Sequence, residues 1–341
     1  MNRKTKPIRL EDLANILKVS KVTISKALRD HPDISAETTA RVKELADELG
    51  YLPNFMAKNL SSLKSNLIGL VVPEIAHFFF SAMIESIFAA ASKNKYETVL
   101  TVSEEKAEKE KNHVQFLLSM KMDGLIISIT QETTDFAIFQ KIIQHNVPIV
   151  FVDRAPDMPG ISSVTVNDRG GAFAATEYAI NKGYNKIAKI GGNNNINIGR
   201  QRNEGFFEAM KLYDYKINPD WIIDGGFGHE AGYNGFKSIY KNGILPEYIL
   251  AITYPAALGI YEAAYELGVR IPQDIEITCF GNNTFKHIIP TVFNFVDQPT
   301  QKLGEEAVKL ILKMINHPKT YEPEKIVLDT KLLINNSNTI T

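Results

Sequence analysis

The stretch "LEDLANILKVSKVTISKALRD", residues 10–30, reads as two short helices joined by a tight turn. Leu10, Leu13, Ala14 and Leu17 recur at helical spacing and form one apolar stripe. Glu11 and Asp12 stand in the first turn, where the helix dipole favours negative charge. Ser20 is placed to cap a second helix. There Ile24, Ala27 and Leu28 turn inward, while Lys21, Val22, Ser25, Lys26 and Arg29 turn outward. Ser35 caps a third helix with the stripe Val42, Leu45, Ala46 and Leu49, and Gly50 ends it. Two short helices around a tight turn match a helix-turn-helix, whose second helix enters the DNA major groove. Small Ala14 and Ala27 allow the helices to cross closely, and the outward face is polar and basic. A generic three-helix bundle with a solvated face would show the same periodicity.

Charge separates this head from the rest. Residues 1–64 hold 12 Lys+Arg against 8 Asp+Glu, a net charge of +4; the remainder holds 26 against 31, a net charge of −5. A basic head on an acidic body suggests a polyanion partner for the head. With 44% apolar and 23% charged residues, the chain has an ordinary globular composition. No apolar run is long enough to predict a membrane span, and the N-terminus lacks the apolar core of a secretory signal. A cytoplasmic protein is expected. The one cysteine, Cys279, excludes an internal disulfide and sits in the apolar run "IEITCF", as a buried structural thiol would.

After the head comes "YLPNFMAKNLSS", residues 51–62. Leu52 precedes a proline and should be extended, and Pro53 suits the first position of a helix. Ala57 and Leu60 then share one face. Such a helix is too short to be stable alone.

From Leu67 onward, short apolar strands alternate with longer helical patterns. The strands read as "LIGLVV", "ETVLTV", "GLIISI", "PIVFVD", "SSVTV", "KIAKIG", "WIID", "YILAI", "IEITCF" and "FNFVD". This is βαβ repetition, and it predicts parallel sheets covered on both faces. The body is too long for one such sheet, so two Rossmann-like halves are expected. Ligands in such sheets bind at the carboxyl ends of strands. The loops there carry Phe79, Asp153, Arg154, Asn193, Arg202, Phe227, Tyr254 and Asn282. Stacking aromatics, acceptor carboxylates and an arginine fork are what a sugar site needs.

Enzymatic alternatives find little support. "GGFGHEAG" is not a full dinucleotide fingerprint, no P-loop follows "GGNNNINIG", and no nucleophile elbow is present. No histidine pair or His/Cys cluster suggests a metal, and no cofactor is implied. The run "EEKAEKEK", residues 104–111, reads as a solvated helix start.

"VSKVTISKAL", "ELGYLPN" and "IGLVVP", at their spacing, resemble the lactose/galactose repressor (LacI/GalR) family, and the order of elements is similar over nearly the whole chain. The resemblance implies a helix-turn-helix head over residues 1–52, a hinge helix and linker over 53–65, and a periplasmic-binding-protein-like body over 66–341. In that body one subdomain would hold 66–165 and 297–324, the other 167–294 and 326–341, with crossings near Val166, Phe295 and Lys325. Lys21, Val22 and Lys26 fall where base edges are read; Ser20, Thr23 and Ser25 fall where phosphates are met. Asn54, Ala57 and Leu60 fall on the hinge helix, which pairs across a dyad in the minor groove with the leucine as a wedge.

Lys26 stands where arginine is common, Arg9 where a Ser/Thr cap is common, and Lys18 where the turn usually has glycine. Phe79, Asp153, Arg202, Phe227, Tyr254 and Asn282 are the implied effector contacts, with Arg202 in an R-x-x-G-[FYW] element. Two usual acceptor carboxylates are missing: Thr253-Tyr254 replaces "ND", and "CFGNN" replaces "GFDD", with Gly281 at the acidic position. A homodimer on a near-palindromic DNA site, controlled by a small sugar-like effector, is implied. The rival reading is a periplasmic-type sugar-binding protein without a DNA role.

Overall fold

Apolar periodicity in the head becomes three helices around one small core. A computed structural model describes residues 8–51, 64–281, 292–318 and 320–335. Contacts divide it into two units, residues 1–65 and 66–341. In the first, α1 (Leu10–Leu17), α2 (Lys21–Ala27) and α3 (Ala36–Glu48) bury Leu13, Ala14, Ile24, Ala27, Val42 and Ala46. Ser20 and Ser35 cap α2 and α3, accepting from the backbone N–H groups of Thr23 at 3.0 Å and Thr38 at 3.2 Å. At α1, which has no Ser/Thr cap, the Asp12 carboxylate accepts from the Arg9 N–H at 2.7 Å. Lys18 closes α1 in the left-handed conformation, φ 55°, ψ 40°. Gly50 takes the same region after α3, φ 63°.

The second unit holds two six-stranded sheets. The first consists of β1 (Leu67–Val72), β2 (Glu97–Val102), β3 (Gly124–Ile127), β4 (Ile149–Val152), β5 (Ser162–Val166) and β11 (Lys325–Leu328), ordered β11-β5-β4-β3-β1-β2 and wholly parallel. On one face lie α4 (Phe78–Lys93) and α11 (Thr300–Asn316); on the other lie α5 (Ala107–Ser119) and α6 (Ala137–Gln144). The second sheet consists of β6 (Ile187–Ile190), β7 (Ile222–Ile223), β8 (Tyr248–Ala251), β9 (Glu276–Phe280), β10 (Asn294–Asp297) and β12 (Lys331–Leu333). Its order is β12-β10-β9-β8-β6-β7, parallel except where β12 pairs with β10. It lies between α7 (Asp168–Asn181) with α8 (Asn197–Leu212) and α9 (His229–Lys241) with α10 (Tyr254–Glu266). Strands such as β1, β4 and β9 are buried along their whole length, as continuous apolar runs in doubly covered parallel sheets must be. Cys279 lies in this core, where burial pushes its thiol well above the ordinary range.

Two expected crossings are displaced. β10 pairs with β9 through Asn294, Phe295 and Val296, so the chain leaves the second sheet after Asp297 rather than near Phe295. Lys325–Leu328 pairs with β5, so the last crossing falls at Asp329–Thr330 instead of Lys325. Sheet membership is set by the distant partner strand, which local composition does not name.

Candidate functional site

In the head, α2 turns Ile24 and Ala27 into the core and leaves Val22 64% exposed. Ser20, Lys21, Val22, Thr23, Ser25 and Lys26 therefore sit on or beside one accessible helix face, with Ser20 and Thr23 hydroxyls 2.9 Å apart. The Lys21 ammonium lies 2.7 Å from Glu11, and that of Lys26 lies 2.5 Å from Asp33. Asn54, Ala57 and Leu60 lie outside the described residues.

In the body, the carboxyl ends of strands from both sheets enclose a cavity of about 110 Å³. Five of the six expected contacts line it: Phe79, Asp153, Arg202, Phe227 and Tyr254. The sixth, Asn282, lies outside the described residues. Phe79 comes from the first turn of α4, Asp153 follows β4, and Arg202 projects from α8. Phe227 precedes α9, and Tyr254 opens α10 behind the Thr253 cap.

Arg202 is 2% exposed. Its Nε and Nη2 both lie 2.7 Å from Asp168 Oδ1, and its Nη1 donates to the Ile252 carbonyl at 2.7 Å. The guanidinium also covers the Phe280 ring, 3.9 Å from its centroid. Burial pushes the Asp168 carboxyl up, and Arg202 opposes that shift. Asp153 is held at φ 61°, a left-handed conformation that short polar side chains tolerate. Its carboxyl is 3% exposed and its Oδ1 has no partner. Burial pushes it up to about 7, against the nearby Arg154 charge.

Sequence reasoning missed how the neighbouring charges are arranged. Arg154 Nη1 donates to Glu105 at 2.6 Å, and its guanidinium lies 5.4 Å from the centroids of both Phe80 and Phe227. Glu105 and Glu110 belong to the run expected to be solvated. That expectation is corrected: Glu105 lines the cavity, and Glu110 is buried, accepting from Thr130 N–H and Thr133 Oγ1 at 2.8 Å each. Burial pushes Glu110 up to about 7. Their partners lie on the loops after β3 and β4, so the charge pattern of the run alone cannot show which acids turn inward. Gln298, which follows β10, was also missed; it lines the cavity with its Nε2 unpartnered. Both arginines of the cavity meet a carboxylate, Arg154 with Glu105 and Arg202 with Asp168, and His77 Nε2 lies 2.7 Å from Glu74. Among the described residues, no cluster of His, Cys, Asp or Glu could hold a metal ion.

A trihelical DNA reader and a two-sheet clamp around a small, largely aromatic cavity with a few polar groups define a ligand-responsive transcription factor. Residues 9–54 match the family described as bacterial regulatory proteins, lacI family. Residues 65–336 match the periplasmic binding proteins and sugar binding domain of LacI family. The chain belongs to the LacI family; it is a sequence-specific DNA-binding transcriptional repressor and not an enzyme. It is similar to the HTH-type transcriptional repressor PurR of Pasteurella multocida, 29% identical over 328 residues that cover 96% of this chain and 98% of that one. Catabolite control protein A of Staphylococcus epidermidis is 27% identical over 323 residues, 94% of this chain and 96% of that one. Among solved structures, the lac repressor dimer bound to operator and the anti-inducer ONPF aligns with a TM-score of 0.82 at 25% identity, covering 96% of this chain and 98% of that one. The head sets aside the periplasmic-type alternative. No helix among the described residues is long and apolar enough to cross a membrane.

Proposed function

We propose that the chain is a cytoplasmic homodimer that represses carbohydrate-related genes and is controlled by a small, uncharged, hydroxyl-rich ligand held in the body cavity. The single observation that carries the ligand class is the set of unpartnered buried polar atoms around it. Asp153 Oδ1 lacks a donor, while Arg154 Nε and Gln298 Nε2 lack acceptors. Hydroxyl groups can both donate and accept, so one polyol can satisfy all three. Because Arg154 and Arg202 each already have a carboxylate, the two arginines offer no spare positive charge to an acidic sugar or a sugar phosphate. Phe79, Phe227 and Tyr254 give apolar faces for a ring to stack on.

Lys21, Val22 and Lys26 read base edges and Ser20, Thr23 and Ser25 meet phosphates, while residues 53–65 carry the coupling between ligand and operator. The outward face of α10 supports self-association: Leu258, Tyr261 and Tyr265 are 40%, 40% and 80% exposed at helical spacing. Sedimentation of Tyr265→Glu is expected to give monomer where wild type gives dimer.

Thermal-shift screening against neutral monosaccharides, hexuronates, sugar phosphates and nucleobases tests the ligand class. A neutral sugar should raise the melting temperature and change retardation of the chain's own upstream DNA. Stabilisation by anionic ligands alone would end the reading.

A further inference from the structure

The outward cations of α2 are not free in this head. Lys21 is held by Glu11 of α1 at 2.7 Å, and Lys26 by Asp33 of the loop after α2 at 2.5 Å. Asp33 also faces His31, whose Nδ1 lies 3.4 Å away. Arg29 folds back onto its own helix, with Nε donating to the Ser25 carbonyl at 3.0 Å and Nη2 to Ser25 Oγ at 3.3 Å. Behind α2, Lys43 is held by Asp30 at 2.7 Å. The charge count agrees. Residues 9–51 hold seven Lys+Arg against eight Asp+Glu, a net charge of −1, so the head's basic excess lies in the flanking sequence.

We propose that Glu11 and Asp33 are built-in competitors for nucleic acid: they occupy the ammonium groups of Lys21 and Lys26 and so suppress sequence-independent binding. Non-specific affinity comes from cations exchanging counterions for phosphates. A lysine already holding a carboxylate gains little by trading it for a phosphate. A guanine edge offers more than charge, because O6 and N7 are directional acceptors fixed in the groove. The exchange therefore favours the correct sequence over the average one. The two acids act as positioning residues for the reading helix without touching DNA themselves.

The test uses the full-length protein and a random-sequence 30-base-pair duplex, with binding followed by fluorescence anisotropy over a salt series. Asp33→Asn should tighten binding by about 3- to 10-fold at low salt. It should also steepen the slope of log K against log salt by roughly one, the share of one additional phosphate contact. Removing any acid weakens repulsion from DNA, so Glu37→Gln is the control: it lies in the first turn of α3 and in none of the ion pairs found among the described residues. Lys26→Met alone and combined with Asp33→Asn completes a cycle, and Glu11→Gln with Lys21→Met repeats it. Unchanged thermal melts establish that each variant is folded. A gain for Asp33→Asn that exceeds that of Glu37→Gln and vanishes beside Lys26→Met supports the competition. Equal gains for the two acids, or a gain that survives Lys26→Met, would overturn it.

Discussion

Replacing Arg202 by methionine separates two roles that the fold combines in one side chain. Arg202 and Asp168 are 2% and 0% exposed, so the substitution leaves a carboxylate in the core without its counter-charge. It also leaves the Ile252 carbonyl without the donor now 2.7 Å away, and it removes the cation from the Phe280 face. Breaking one half of a buried pair costs about 3–5 kcal/mol, because the remaining charge stays desolvated. In a unit of this size that loss lowers the unfolding midpoint by roughly 5–9 °C. The double variant Arg202→Met/Asp168→Asn removes the orphan charge and should recover most of the midpoint. Three of the guanidinium's donors are used within the protein, and the rest remain for a ligand. If a ligand takes them, the double variant recovers stability while the ligand-induced shift stays lost. The assay is a thermal melt of full-length protein with and without the neutral sugar found by screening. An Arg202→Met variant that melts with wild type would refute the reasoning.

Asp153→Asn tests the raised carboxyl. An acid whose folded value is near 7 rather than 3.8 contributes stability below its ordinary value and loses it as pH rises through about 7. The variant should therefore outlast wild type in a melt at pH 8, with the advantage shrinking toward pH 4; a constant difference would exclude the linkage. Lys18→Gly should stabilise the head by about 1 kcal/mol in urea unfolding, since Lys18 sits at φ 55° where glycine carries no Cβ strain. Gly281→Asp should destabilise the body, because φ is 135° there and a Cβ would come within 3.0 Å of the Tyr254 Cβ.

The head could be read from sequence because its signals are local. A serine three residues before the N–H it caps, a small residue at a helix crossing and a glycine past a helix end each act within one turn. The strands of the body were visible for a related reason: burial on both faces leaves an uninterrupted apolar run. β11 and β12 were missed because they are short edge strands with charged and exposed positions and no continuous apolar run. In β11, Lys325 and Val327 face solvent while Leu328 is buried, so the run looks like connecting chain until β5 is known to lie beside it. The same non-locality displaced the crossings after β10 and β11.

The cleft shows where a residue-by-residue reading of departures stops. Tyr254 and Gly281 stand apart in sequence and look like two separate losses of an acceptor. In the fold they follow the adjacent strands β8 and β9, and the backbone at 281 leaves no room for a side chain beside the Tyr254 Cβ. The tyrosine ring then packs toward Phe293 and Phe295, at centroid distances of 6.2 Å and 5.9 Å. The two departures thus meet at one place in the cleft, where an aromatic wall and a bare backbone bring no carboxylate. The acceptors of the cavity come instead from the first sheet's loops, as Glu74, Glu105 and Asp153. Of these, Asp153 is the one with a buried oxygen that lacks a partner, so it is the group whose state of charge a bound ligand most directly decides.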